Sequence, residues 1–209
     1  MNILPDLFVE FDLLETCKTK AMLIRTQSQL ASVVFGEDSS FDAASTSPEI
    51  TTSRYVLKPM DLTDCASLEA YLRDSPLSRN TPTLFLSECV LIYINPDLVN
   101  PSLQCLQKAF PNSVMVVYEQ IRPNDPFGAM MIQNLHERGC DLLSLTRYPE
   151  IEDQKQRYLS LGYKKVFCQD MQHLYTYLLD PSEIKRVSRL ELFDEFEEWD
   201  LSKRASIVL

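Results

Sequence analysis

The chain has 209 residues, of which 45% are hydrophobic and 24% are charged, a composition typical of a globular protein with one packed core. Its formal net charge of −10 argues against nonspecific binding to nucleic acid or anionic membranes through the overall field, while a local basic patch stays compatible with it. No basic segment precedes an apolar one at the start, and no apolar run is long enough to cross a bilayer. We therefore expect a cytoplasmic protein.

The six cysteines predict free thiols. They are scattered without CxxC pairs, and several lie in apolar surroundings, so reduced and buried thiols are expected rather than disulfides. The two histidines, His136 and His173, are too few and too isolated for a zinc site. The sequence therefore predicts no metal.

Strand and helix patterns alternate along the chain. Short apolar runs predict strands, and apolar residues recurring three or four positions apart predict helices. Asp125 and Asp180, each followed by proline, predict helix starts. In the first half of the chain the expected elements are strand 7–12, helix 15–31, loop 36–53, strand 55–57, helix 63–73 and a strand from 83. After the break at Asn95-Pro96-Asp97 they are a helix to 110, strand 113–118, a helix from 125 ending before Gly139, helix 150–161, an edge strand at 166–167 and a helix from 180. This order predicts an α/β protein with a doubly wound, mostly parallel sheet, in a single domain over residues 1–209.

The stretch Thr83–Ile94 (TLFLSECVLIYI) places a carboxylate, Glu88, among apolar residues. The unbroken apolar run before it predicts a strand buried on both faces, where an unpaired charge would cost roughly several kcal/mol. Because ligands bind beyond the carboxyl ends of strands in open α/β sheets, Glu88 predicts a polar ligand, with a local backbone cap as the alternative. Asp12 and Asp61 also follow strands, and three acids on one rim favour a ligand crevice. The nucleotide motifs GxGxxG and GxxxxGK[ST] are missing.

Six segments resemble the leucine carboxyl methyltransferase family in order and spacing: LFVEFD, YVLKPMDL, TLFLSECVLIYINP, VVYEQIRPNDPFGAMMIQNL, DMQHLYTYL and LFDEFEEW. The resemblance implies a Rossmann-like fold and S-adenosylmethionine (S-adenosyl-L-methionine) as cofactor. One branch of the family methylates the C-terminal leucine of the type-2A protein phosphatase catalytic subunit. The other, the branch of tRNA wybutosine-synthesizing protein 4, modifies a guanosine of phenylalanine tRNA. VYEQIRPNDPFG, Tyr148-Pro149-Glu150 and FDEFEEW favour the wybutosine branch, with the phosphatase branch as the alternative.

The resemblance also implies roles for individual residues. Asp12 matches the acid that binds the ribose hydroxyls, since a carboxylate accepts two hydrogen bonds. Asp61 and Leu62 match the pair beside the adenine, and Glu88 matches the acid near the cationic methionine part of the cofactor. Tyr93 matches a tyrosine near the transferred methyl group and is a candidate substrate contact; a core aromatic is its alternative interpretation. A carboxylate substrate is ionised at neutral pH and needs only positioning, so no catalytic residue is predicted.

The chain differs from the family at both ends. The family's glycine-rich loop, the strand before it, and an upstream arginine and lysine have no counterpart in this sequence. That strand would lie between the strands ending at Asp12 and Glu88, so both are expected to lack a neighbour. Neither the family's last strand nor the propeller domain of the wybutosine branch is expected in residues 200–209.

A tRNA substrate would require basic residues on the approach face. The candidates for a local basic patch are Arg122, Arg138, Lys155 and Arg157. A hypothesis of a different class is that the chain is a catalytically silent fragment or an interaction module.

Overall fold

A computed structural model describes residues 5–36, 42–190 and 205–209. The chain divides into two compact units, Met1–Leu68 and Glu69–Leu209. The acidic and aromatic segment 192–199 lies outside the described residues. The single domain expected over the whole chain stays a prediction.

The first unit contains a three-stranded sheet in the order β1-β3-β2. Its strands are β1 (Phe8–Asp12), β2 (Ile50–Thr51) and β3 (Tyr55–Pro59). β1 and β3 are parallel over five residue pairs, and β2 is antiparallel to β3. β2 therefore lies inside the stretch that the sequence predicted to be a loop.

Two helices, α1 (Leu14–Thr26) and α2 (Ser28–Val34), replace the single helix expected over 15–31. The interruption falls at Gln27, whose φ of −95° and ψ of 109° are extended backbone. One face of α1 contributes Cys17, Ala21 and Ile24 to a core shared with Leu57 of β3. The helix α3 (Cys65–Asp74) follows β3.

The second unit contains a four-stranded sheet in the order β4-β5-β7-β6. Its strands are β4 (Thr83–Glu88), β5 (Ser113–Gln120), β6 (Cys168–Asp170) and β7 (Ala205–Val208). β4 and β5 are parallel, and β7 runs antiparallel between β5 and β6. The predicted edge strand forms slightly later than expected, at Cys168–Asp170. A strand also forms at Ala205–Val208, within the residues where the family's last strand was not expected, because these two segments pair with each other.

β4 is an edge strand, so the prediction of a strand buried on both faces is wrong. Leu84 and Leu86 are 66% and 67% exposed, while Phe85 stacks edge-on against Phe110 at 5.4 Å and Ser87 is buried. The helices therefore cover one face of the strand and leave the other open. Both β1 and β4 have a neighbour on one side only among the described strands.

The helices of the second unit are α4 (Pro96–Ala109), α5 (Pro126–Glu137), α6 (Ile151–Ser160), the single turn α7 (Met171–His173) and α8 (Pro181–Val187), with a 3₁₀ turn at Leu91–Tyr93 and a π turn at Leu174–Leu178. Four of them, α4, α5, α6 and α8, begin within one residue of the predicted starts, and the single turn α7 was not predicted. Asn95, Asp125 and Asp180 cap three of them, each side-chain oxygen accepting from a backbone N–H two or three residues later. Such caps satisfy donors that the first helical turn cannot pair internally.

The α/β class is confirmed, with two mixed sheets whose two longest ladders, β1 with β3 and β4 with β5, are the parallel ones. All six cysteines are free thiols, of which Cys17 and Cys168 are buried and Cys140 is exposed. Within the described residues, no helix has the length and apolar character needed to cross a membrane. The cytoplasmic location stays a prediction.

Candidate functional site

The structure brings Asp12, Asp61 and Leu62 to one end of the first unit's sheet. Asp12 ends β1 opposite Pro59, the last residue of the parallel strand β3, and its carbonyl oxygen accepts a 2.8 Å hydrogen bond from the N–H of Met60. Asp61 and Leu62 follow directly in the chain. All three therefore lie beyond the carboxyl ends of two parallel strands, the position that ligands occupy in open α/β sheets.

Local hydrogen bonds orient the two carboxylates of this group. Oδ1 of Asp12 accepts from the N–H of Leu13 at 2.7 Å. Oδ1 of Asp61 accepts from both the N–H and the hydroxyl of Thr63, each at 2.8 Å. Asp12 is half-buried and Asp61 is exposed. An oriented carboxylate of this kind can accept further hydrogen bonds from a ligand's hydroxyl or amino groups.

The other two predicted residues, Glu88 and Tyr93, lie at the end of β4 in the second unit. Glu88 is the last residue of that strand and is exposed, so it is not the buried charge expected from the sequence. Cys89 turns the chain with a left-handed φ of +51°, its N–H donating to the carbonyl of Tyr118 at 2.9 Å. Tyr93 then ends the 3₁₀ turn and is half-buried.

Burial raises the pKa values of the three groups around this turn. Loss of solvation is the largest cause for Tyr93, Tyr118 and Cys89, and the negative charge of Glu88 adds to it for Tyr118 and Cys89. All three groups are therefore protonated at neutral pH, so both tyrosine hydroxyls can donate hydrogen bonds. The five predicted residues thus form one group in each unit, and their roles stay predictions.

Sequence reasoning missed a buried acid and its arginine partner. Glu119 of β5 is 1% exposed, and Nη1 of Arg157, whose side chain is fully buried, lies 3.9 Å from its Oε2. Burial raises the pKa of Glu119 to about 7, opposed by Arg157 and by the nearby backbone N–H groups of Ile92 and Leu91. Neither carboxylate oxygen has a well-formed hydrogen bond among the described residues. The signal was the alternation in SVMVVYEQ, which puts Met115, Val117 and Glu119 on one face.

The burial of Arg157 also corrects the predicted basic patch. Its side chain is fully buried, so it presents no charge to a nucleic acid. Arg122 makes a 2.7 Å ion pair with Asp170, and Lys155 lies 3.7 Å from Glu152. Arg157 is therefore no longer a candidate for the basic patch, and the charges of Arg122 and Lys155 have acidic neighbours.

A β–α order with acids beyond the carboxyl ends of parallel strands is the architecture of α/β enzymes that bind nucleotide cofactors. Residues 7–107 match the family model described as leucine carboxyl methyltransferase. The chain is 37% identical over 198 residues, or 94% of its length, to the leucine carboxyl methyltransferase 1 homolog of Arabidopsis thaliana. It is 37% identical over 147 residues, or 70% of its length, to human tRNA wybutosine-synthesizing protein 4.

A third relative, leucine carboxyl methyltransferase 1 of Bos taurus, is 31% identical over 94% of the chain. The chain belongs to the leucine carboxyl methyltransferase family, a family of methyltransferases, and its Rossmann-like class is confirmed. It spans 58% of the Arabidopsis relative, 59% of the bovine one and 21% of the human one.

Proposed function

We propose that this chain provides the cofactor-binding and substrate-binding residues of an S-adenosylmethionine-dependent carboxyl methyltransferase. The observation that carries the proposal is the placement of Asp12 beside Asp61 and Leu62, beyond the ends of the parallel strands β1 and β3. These are the residues that match the family's ribose and adenine contacts. Family membership makes methyl transfer the reaction to test.

The side chains fit the chemistry of this cofactor. Asp12 and Asp61 offer acceptors for the ribose hydroxyls and the exocyclic amine of adenine. Glu88, exposed at the end of β4, offers a negative charge for the ammonium and sulfonium of the methionine part. When bound, the cofactor supplies an electrophilic methyl group. The residues of this chain would bind and orient the two reactants, since a carboxylate nucleophile is already ionised and needs no base.

For the substrate, we place the C-terminal leucine carboxylate of the type-2A protein phosphatase catalytic subunit first. Similarity to the leucine carboxyl methyltransferase 1 homolog extends over 94% of the chain, against 70% for tRNA wybutosine-synthesizing protein 4. The formal net charge of −10 and the burial of Arg157 also weaken the case for a tRNA. The precursor of wybutosine in phenylalanine tRNA is the second candidate, because the identity of 37% is the same for both relatives.

Calorimetric titration with S-adenosylhomocysteine tests cofactor binding in the chain as it stands. We expect a dissociation constant on the order of micromolar. Asp12→Asn keeps the shape of the side chain and removes its charge, so affinity should fall roughly 10- to 100-fold, the value of one or two charge-assisted hydrogen bonds. Asp6→Asn, at an exposed position six residues upstream, is the matched control. Equal affinities for the two variants would remove Asp12 from the site.

Transfer of a labelled methyl group identifies the substrate. The chain is incubated with labelled S-adenosylmethionine and either the phosphatase catalytic subunit, the same subunit lacking its terminal leucine, or hypomodified phenylalanine tRNA. Label on the intact subunit alone supports the first candidate, and label on the tRNA alone supports the second. Cofactor binding without transfer to either would mark the chain as a silent binding module.

A further inference from the structure

Tyr93 is carried by a short turn whose interior side is built from buried groups of the second unit. Leu91 and Ile92, the first two residues of the turn, are almost completely buried. Ile92 packs with Leu142 and Leu145, and its carbonyl oxygen accepts a 3.0 Å hydrogen bond from the N–H of Ser144. The turn is therefore fixed on its apolar side by the segment that follows α5.

The turn also packs against β5, the strand that carries Glu119. The backbone N–H groups of Leu91 and Ile92 lie close enough to the buried carboxylate of Glu119 to favour its charged form. Residue 119 lies on the covered face of the sheet, next to the end of β4, so β5 places the Glu119 side chain in the interior. Although neither oxygen of Glu119 forms a well-formed hydrogen bond, its negative charge attracts the two N–H dipoles, and low solvent access strengthens that attraction.

Arg157 lies beside Glu119 in the interior and is itself held by Asn100 and Tyr148. Its Nη1 lies 3.9 Å from the carboxylate, and its Nε donates to Oδ1 of Asn100 on α4 at 3.1 Å. The guanidinium lies over the ring of Tyr148, 4.8 Å from its centre. Asn100 in turn donates to the Tyr148 hydroxyl at 3.2 Å. These contacts restrict the movement of Arg157. Because its guanidinium lies beside Glu119, they also limit the movement of that carboxylate.

We propose that Glu119, held by Arg157, is a positioning residue: it fixes the turn Leu91–Tyr93 and thereby places the Tyr93 hydroxyl at the carboxyl end of β4. The proposal gives a role to a buried acid that the reaction itself does not use. It rests on the proposed function only in treating Tyr93 as a substrate contact. The placement of Tyr93 can be measured without any reaction.

The first arm of the test follows the Tyr93 ring directly. The chain is labelled with 3-fluorotyrosine, the Tyr93 fluorine signal is assigned with Tyr93→Phe, and spectra are compared for wild type, Glu119→Gln and Arg157→Gln. We expect the Tyr93 signal to shift by more than its line width or to broaden in both variants, while the signal of the exposed Tyr177 stays in place. A Tyr93 signal that stays unmoved in both variants would overturn the proposal, and a shift in Arg157→Gln, which keeps the Glu119 carboxyl group, shows that the effect is not confined to the loss of that group.

Two further variants keep this arm decisive. Glu152 lies on the same helix as Arg157 but is exposed. The variant Glu152→Gln should therefore leave the Tyr93 signal unmoved. If either buried variant fails to fold, Asn100→Ser removes the acceptor of Arg157 Nε at a half-buried position. It should also shift the Tyr93 signal, and failure to do so would count against the proposal.

The second arm measures turnover and separates this inference from the proposed function. With the substrate that accepts methyl from wild type, Glu119→Gln should raise KM for that substrate roughly 10- to 100-fold, as expected for a misplaced contact. The affinity for S-adenosylhomocysteine should be unchanged. Absence of transfer in wild type would refute the proposed function but leave the fluorine result standing. A shifted Tyr93 signal with an unaltered KM would instead refute the positioning role.

Discussion

The buried acid Glu119 gives the sharpest stability prediction, because its environment changes its protonation. Its pKa is raised from 4.5 to about 7 in the folded chain, mainly by loss of solvation. The folded state therefore binds this proton more tightly than the unfolded state does. The resulting stabilisation is fully present below the unfolded pKa of 4.5 and is lost as the pH rises through 7. A shift of this size corresponds to on the order of 3 kcal/mol.

The substitution Glu119→Gln removes the titrating group and keeps its shape. At pH 4.5 the variant and wild type differ only by pH-independent effects of the amide. At pH 8 wild type carries the cost of a buried carboxylate that Arg157 offsets only in part, so the variant should gain about 3 kcal/mol relative to wild type between the two pH values. Tyr158, Cys89 and Tyr93 also couple to this acid, but they stay protonated in this range because their pKa values are raised.

Urea unfolding followed by circular dichroism at both pH values measures the difference. The control is Glu152→Gln, at an exposed glutamate in the first turn of α6, and this variant should track wild type at both pH values. A gap that stays constant with pH would show that Glu119 titrates like an exposed glutamate. A variant that loses stability at pH 8 would show that Arg157 fully compensates the charge and that the pKa is lowered instead.

Other predictions test the fold around the candidate site. Phe85→Ala should cost about 2 to 4 kcal/mol, because Phe85 packs against Phe110 on the covered face, whereas Leu86→Ala, at a residue 67% exposed, should cost less than about 0.5 kcal/mol in the same urea titration. Gly128→Ala should cost more than about 2 kcal/mol, because its Cβ would collide with the carbonyl oxygen of Arg122 and lie 2.9 Å from Pro123. Gly139→Ala, where φ is +71° and the space is open, should cost about 1 kcal/mol. Equal costs within either pair would contradict the packing described here.

Local signals explain which parts of the fold were predictable. The starts of α4, α5 and α8 follow from Asn95, Asp125 and Asp180, each of which precedes a proline and caps the helix with its own side chain. A cap acts over two or three residues, so the sequence contains all of its causes. The start of α6 is similar, with Glu150 and Asp153 forming a reciprocal capping box.

The sequence predicts poorly the position of elements that depend on a partner far away in the chain. β6 begins at Cys168 because it pairs with β7, about forty residues further on, and neither segment identifies the other by composition. The sequence makes Arg157 a candidate for a basic patch, and arginine is rarely buried. Its burial depends on Asn100 and Glu119, which lie on other elements. Nothing in the local sequence of α6 reveals those neighbours.

Glu88, the last residue of β4, and Glu119, near the end of β5, lie on opposite faces of the sheet, and this difference determines what each carboxylate can contact. In the parallel register, Glu88 is opposite Tyr118, so the next residue, Glu119, points to the other face of the sheet. That face is covered by Arg157 and by Phe110, which follows α4, and the face of Glu88 is open. Glu88 is therefore available to a cationic ligand, while Glu119 is committed to the interior and to the turn that carries Tyr93. Two carboxylates on neighbouring strands take different roles because their environments differ, and the sequence alone could not say which strand face the helices cover.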